Sequence, residues 1–388
     1  MTIKKDSLIK LIVVFLGLSI PIGEKLNSIF PGISLLYVYI GALLILVSLL
    51  IHTSRITVKF NSLLLLTLLI LVSSIFSFNG SFTLTGMFEH FKTIVFILIS
   101  SFLLLNFKFN RKLIDVFLSS FVSSYTAIYL FYLIISFNEI SRFSSSYINP
   151  NAFAFDSLFV VFTSMYFIFS KKVKHRFLYF IPMVLSLSGI LISGTRSAII
   201  GLVVGVLVTP FVIKKVKTGV LFSIILIITT LVIVYQFDSP ISERIARILY
   251  GDSISSSFRD NLRLDIWVDY LRNVNRYFWF GLNTDYWNLI NERITHNTFL
   301  YIFVSYGVFA LILYSWIITK VIHKYLVKTL FANRKSIYLA AGFIGILTMS
   351  LFLDVLNLRV FWTVLFLIIG LNSHDGELAI HGETCHER

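Results

Sequence analysis

Charge is scarce in this chain and cysteine nearly missing. Only 13% of the 388 residues are Asp, Glu, Lys or Arg, too few for the alternating charged faces that the core helices of a soluble protein of this length would carry. The single cysteine, Cys385, excludes an intrachain disulfide and argues against a cysteine-rich metal centre. No carboxylates and histidines cluster at ligand spacing either, so neither a metal nor any other cofactor is expected. The N-terminal MTIKKDSLIKLIVVFLGLSIPIG starts basic, as a signal peptide does, but shows no small-residue cleavage site; it reads as a first membrane span. Internal repeats, low-complexity tracts and linkers are also missing, which leaves residues 1–388 as one integral membrane domain.

What fills the chain is apolar. Hydrophobic residues make up 57% of it, with 39 Phe, and runs such as GVLFSIILIITTLVIVYQF pass without a charge. This is the composition of an all-α polytopic membrane protein. With about 20 residues per span, twelve transmembrane helices fall near 7–22, 33–51, 61–78, 92–107, 113–136, 152–170, 177–193, 197–213, 219–236, 298–319, 336–353 and 358–372. The seventh and eighth are divided only by SGTR, which predicts a tight helical hairpin. One connection is long, residues 237–296. Within it SERIARILY and RDNLRLDIWVDYLRNVNRYFWFG space their apolar residues helically (Leu262, Ile266, Tyr270, Val274, Phe278), so both are expected to lie as amphipathic helices along the membrane surface.

Basic residues orient the bundle. Alternate loops and the two termini hold 21 of the 33 Lys and Arg, which places both termini in the cytoplasm and the 237–296 loop outside. The twelve basic residues on the outer side are ten Arg and two Lys (Lys25 and Lys92), whereas the inner side has sixteen Lys and five Arg. Either residue sets topology, but only Arg presents the planar fork that grips phosphate at two points. The asymmetry points to an outward-facing phosphate site. The net charge of +14 follows from cytoplasmic loops that meet anionic headgroups, so membrane lipids rather than nucleic acid are the expected contact.

The candidates are few. Arg196, in the SGTR turn, has no second charge in the hairpin; it either snorkels to the headgroups or serves a ligand. Arg263 and Arg259 share the proposed surface helix, where pairing with Asp260 or Asp265 is the plain alternative to a ligand. Arg142 precedes the Asn-Pro-Asn start of the sixth span, in which Asn151 can cap the helix as readily as touch a ligand. His296 and His90 are the two outward histidines of eight. His296, next to Asn297 at the start of the tenth span, can act as a base near neutral pH or bond a phosphate, or be purely structural.

Three segments, SGTRSAIIGLVVG, RLDIWVDYLRNVNRYFWFGLNTDYW and THNTFLYIFVSYGVFALILY, resemble in order the blocks of the O-antigen ligase and polymerase superfamily, with YINPNAFAF as a weaker fourth. Family members often have a Pro-containing turn ahead of the glycine of the second block; here Gly281 follows NRYFWF. The resemblance implies a metal-independent, inverting glycosyltransferase of the GT-C type in the bacterial inner membrane, with its site facing the periplasm. Its donor would be an undecaprenyl-diphosphate-linked glycan, and its acceptor lipid A–core for a ligase or a second lipid-linked glycan for a polymerase. By the same resemblance Arg196 and Arg263 hold the diphosphate and His296 serves transfer; Arg142 and Arg259 are further candidates for the diphosphate, and Trp267, Asn297 and Asn151 for support of the site. The ligase is the favoured reading. A lipid-linked oligosaccharide flippase is the alternative from another class, though it leaves the one-sided arginines and the lack of an inverted repeat unexplained.

Overall fold

A computed structural model of the protein describes residues 5–25, 94, 98, 111–135, 150–170, 173–212, 262–282, 295–326, 336–355, 358, 360–365 and 367–369. Among these residues all regular structure is helical: α1 (Lys5–Lys25), α2 (Arg111–Ile135), α3 (Pro150–Ile168), α4 (Phe180–Ser193, led by a 3₁₀ turn at Arg176–Tyr179), α5 (Arg196–Val212), α6 (Leu262–Arg272), α7 (Thr298–Lys320, continued as a π-helix over Val321–Leu326) and α8 (Ser336–Ser350). A short helical stretch follows within 360–369. Among the described residues four stretches are, by length and composition, long and apolar enough to cross a membrane: Lys112–Ile134, Pro150–Ile168, Arg176–Ser193 and Thr298–His323. The protein is an all-α membrane protein. The spans expected at 33–51, 61–78 and 219–236, nearly all of 92–107, and the SERIARILY helix lie outside the described residues.

The central element is α3, buried without a break from Phe153 to Ile168. A helix apolar all round belongs inside a bundle or in lipid, and α3 packs on α4 and α8 while α1 packs on α2. Glycines set the closest approach. A Cβ built on Gly201 of α5 would lie 2.6 Å from the Gly345 carbonyl oxygen of α8, and one on Gly205 would lie 2.8 Å from that of Ala341. Such contacts let two backbones touch, which is how helices gain packing in a solvent as apolar as themselves. Four residues forward along α5 correspond to four residues back along α8, so the pair is antiparallel and Arg196 stands level with Ser350.

Two expectations change in detail. The turn between α4 and α5 is as tight as SGTR predicts, but the two helices part from it: the main partner of α4 is α3 and that of α5 is α8. The surface helix ends at Arg272, short of the Val274 and Phe278 that its periodicity includes. Val274 begins a 3₁₀ turn, Val274–Arg276, and Phe278 belongs to a turn docked against α7.

That docking explains the largest departure. Gly307 interrupts α7 with φ 80° and ψ −178°, a conformation essentially closed to residues with a side chain. The chain folds back there. The rings of Phe299 and Tyr314 lie 5.5 Å apart, whereas in a straight helix fifteen residues advance about 22 Å. The expected tenth span is therefore two arms, and the first, 298–306, is about 13 Å long, short of the roughly 30 Å hydrocarbon thickness. The break exposes backbone groups that residues 278–282 satisfy: Leu282 N–H donates to Val304 O and Phe278 O accepts from Val308 N–H, both at 2.8 Å.

Candidate functional site

Arg196 opens α5 and is exposed. The residue before it, Thr195, is buried and gives its hydroxyl to Asn151 Oδ1 at 3.1 Å, while its N–H donates to Ser193 Oγ at 3.2 Å. Asn151 lies inside α3, one residue past Pro150; the role shown for its carbonyl oxygen is to hold the SGTR turn. Two segments more than forty residues apart in sequence thus meet at Arg196. A guanidinium at a helix start adds positive charge to the positive end of the macrodipole, an unfavourable pairing of about 0.3–1 kcal/mol that an anion at the same place would reverse.

His296 is held on both sides. It is the only non-glycine among the described residues with positive φ, at 49°, a left-handed conformation uncommon for residues with a side chain, and one that is often found at functional sites. On one side Trp267 of α6 donates its indole N–H to Thr295 O at 2.7 Å. On the other, Asn297 caps the first arm of α7, accepting from Leu300 N–H at 2.9 Å, and donates through Nδ2 to Leu351 O at 2.9 Å. Thr298 is fully buried; its hydroxyl donates to Leu353 O at 2.7 Å and accepts from Val355 N–H at 3.0 Å. His296 itself is half-buried.

The 351–355 turn connects this cluster to Arg196. It directly follows α8, whose end at Ser350 stands level with Arg196 through the Gly201–Gly345 contact. Arg196, Asn151, His296 and Asn297 are thereby gathered at one end of the bundle. Trp267 joins them from α6. Arg263 lies one helical turn before Trp267 on α6; its side chain, like Arg142 and Arg259 as a whole, lies outside the described residues. The sequence reading had missed Thr298, Gly307 and the half-buried Asp354 between the two backbone partners of Thr298. A glycine inside the apolar SYGVF was the one available signal.

The segment expected at the membrane surface is anchored to α7. Ile266 and Tyr270 of α6 and Tyr277 beyond it form a small core with Val304 of α7. The Tyr277 hydroxyl donates to Tyr270 O, and burial pushes its pKa up to about 12. The exposed Trp279 packs on Phe309 with ring centroids 5.8 Å apart, at the tip where α7 turns over. Among the described residues no three His, Cys, Asp or Glu side chains form a group that could hold a metal ion.

Residues 181–315 match the family model described as O-antigen ligase. The match runs from α4 through the SGTR turn and α6 to the second arm of α7, and so contains Arg196, Arg263, Trp267, His296 and Asn297. No curated protein matches the chain.

Proposed function

Because the chain carries a domain of the O-antigen ligase superfamily over residues 181–315, we propose that it is a glycosyltransferase that moves an undecaprenyl-diphosphate-linked O-antigen glycan onto lipid A–core. The observation that supports this most is the gathering of an exposed arginine at a helix start and a strained histidine at one end of the bundle, tied through the 351–355 turn. Attack of an acceptor hydroxyl on the anomeric carbon breaks the bond to the diphosphate, and negative charge grows on the leaving oxygens. Arg196 and Arg263 meet that charge through forked donors. His296 takes the hydroxyl proton. With guanidinium groups supplying the electrostatic work, no metal is called for, and attack opposite the leaving group inverts the anomeric centre.

The one-sided arginines favour a site on the periplasmic face of the inner membrane, within a twelve-span bundle of GT-C type whose termini are both cytoplasmic. The test is reconstitution in detergent of purified protein with an undecaprenyl-diphosphate-linked oligosaccharide and lipid A–core. Wild type should form the new glycosidic bond, and His296→Ala should lower the rate by roughly a hundred- to ten-thousandfold. Equal rates from both proteins sink the catalytic assignment. Product only when a second lipid-linked glycan replaces lipid A–core makes the enzyme a polymerase, and no product with either acceptor from folded wild type sinks the enzyme.

A further inference from the structure

We infer that Thr298 is a positioning residue that fixes the His296 imidazole relative to Arg196, acting through the 351–355 turn. The inference rests on the transferase reading above. The Thr298 side chain is fully buried two residues beyond His296, and its one hydroxyl is bonded in both senses, donating to Leu353 O and accepting from Val355 N–H. A hydroxyl is the smallest group that can close such a bridge, because it carries one donor and an acceptor on the same atom. The bridge joins the arm that starts at His296 to a turn whose preceding helix is locked to the Arg196 helix by the Gly201–Gly345 contact. Nothing else described ties Thr298 to that turn at this depth; the neighbouring Asn297 Nδ2 bond reaches Leu351 from the more open side. Since Gly307 frees the first arm from the rest of α7, the arm's position depends on such bridges and not on helix continuity.

The experiment measures transfer from an undecaprenyl-diphosphate-linked oligosaccharide to lipid A–core by the full chain, comparing Thr298→Val with Thr298→Ser and each with and without His296→Ala. A displacement of about 1 Å at reacting groups can cost on the order of a hundredfold. Thr298→Val should therefore lose about that factor in kcat with donor KM held within about threefold, while Thr298→Ser stays close to wild type. On the His296→Ala background Thr298→Val should cost little more, because its effect passes through the imidazole. The inference is overturned if Thr298→Val transfers at the wild-type rate, if Thr298→Ser falls as far as Thr298→Val, or if the loss is undiminished when His296 is already absent. Should Thr298→Val fail to insert, Thr298→Cys, whose thiol is a weak donor and acceptor, takes its place: a reduced kcat supports the bridge and an unchanged one overturns it. The two levels separate in the same assay: transfer at the wild-type rate by His296→Ala removes the imidazole role and the Thr298 inference with it, whereas no transfer by folded wild type removes the transferase reading itself.

Discussion

Phe299 packs its ring against Tyr314, with centroids 5.5 Å apart, although the two occupy what reads in sequence as opposite halves of one membrane helix. The contact follows from a single glycine. With Gly307 at φ 80°, the nine residues that follow Asn297 form an arm of their own, and His296 sits at the free end of that arm beside the 351–355 turn.

Replacing Gly307 with alanine should undo this. The conformation alone costs a side-chain-bearing residue about 1–3 kcal/mol, and the added Cβ would lie 2.1 Å from the Trp279 carbonyl oxygen. Backbone has no rotamer to yield, so the 278–282 turn must move. Thermal unfolding of Gly307→Ala in detergent should show a clear loss of stability, with transfer lost alongside. An unchanged melting temperature would mean that the fold-back is not held as described.

Asn297 has two duties that substitution can divide. Asn297→Ala removes the cap and should cost about 0.5–2 kcal/mol. Asn297→Asp keeps the oxygen that accepts from Leu300 N–H but places a second oxygen against Leu351 O, where the amide had donated. Stability should largely return in Asn297→Asp, and transfer should not. Recovery of both together would leave capping as the sole role of this residue.

Much of the helical pattern was legible because apolar helices advertise themselves through uninterrupted runs: α2, α3, α4, α5 and α8 begin and end close to where composition places them. The motif order in the family blocks likewise pointed to the stretch, 181–315, that the O-antigen ligase family model matches. The arrangement inside the site was not legible, for a physical reason. Hydropathy cannot distinguish a 23-residue span from two arms folded at a glycine, since both bury the same side chains. Nor does spacing reveal that the Thr195 hydroxyl reaches Asn151, or that Thr298 reaches Leu353 and Val355, because these bonds cross between helices. The surface helix stopped at Arg272, ahead of its own periodicity, because Phe278 O and Leu282 N–H are needed by the broken helix.

Tyr277 supplies a pH test of the docked turn. Its folded pKa, raised to about 12 by burial, exceeds the ordinary tyrosine value near 10. The unfolded chain thus loses this proton first as pH rises. The contribution to stability is complete below about pH 10 and falls away as pH climbs through the folded value. The melting temperature of the wild type should drop between about pH 10 and 12 more steeply than that of Tyr277→Phe. Parallel curves would show that Tyr277 titrates alike in both states.

Arg196 offers the sharpest separation of stability from function. Its guanidinium stands exposed at the positive end of α5, so in the absence of an anion the charge opposes the helix. Arg196→Gln should therefore leave the donor-free protein as stable as wild type, or more stable by about 0.3–1 kcal/mol at low salt. The same substitution removes the fork from the proposed diphosphate contact, and charge-assisted hydrogen bonds of this kind are worth about 1.5–3 kcal/mol, roughly ten- to a hundredfold in donor affinity. Arg196→Lys completes the comparison. It keeps the charge and its cost to the helix but presents a point ammonium in place of two parallel donors, so donor binding should fall while thermal stability stays at the wild-type value. Binding of an undecaprenyl-diphosphate-linked oligosaccharide, measured beside thermal unfolding of the donor-free protein, reads both quantities on the same samples. Wild-type affinity in Arg196→Lys would reduce the residue to a topological charge, and lowered stability in Arg196→Gln would show that the side chain is held by the protein and not kept for a ligand.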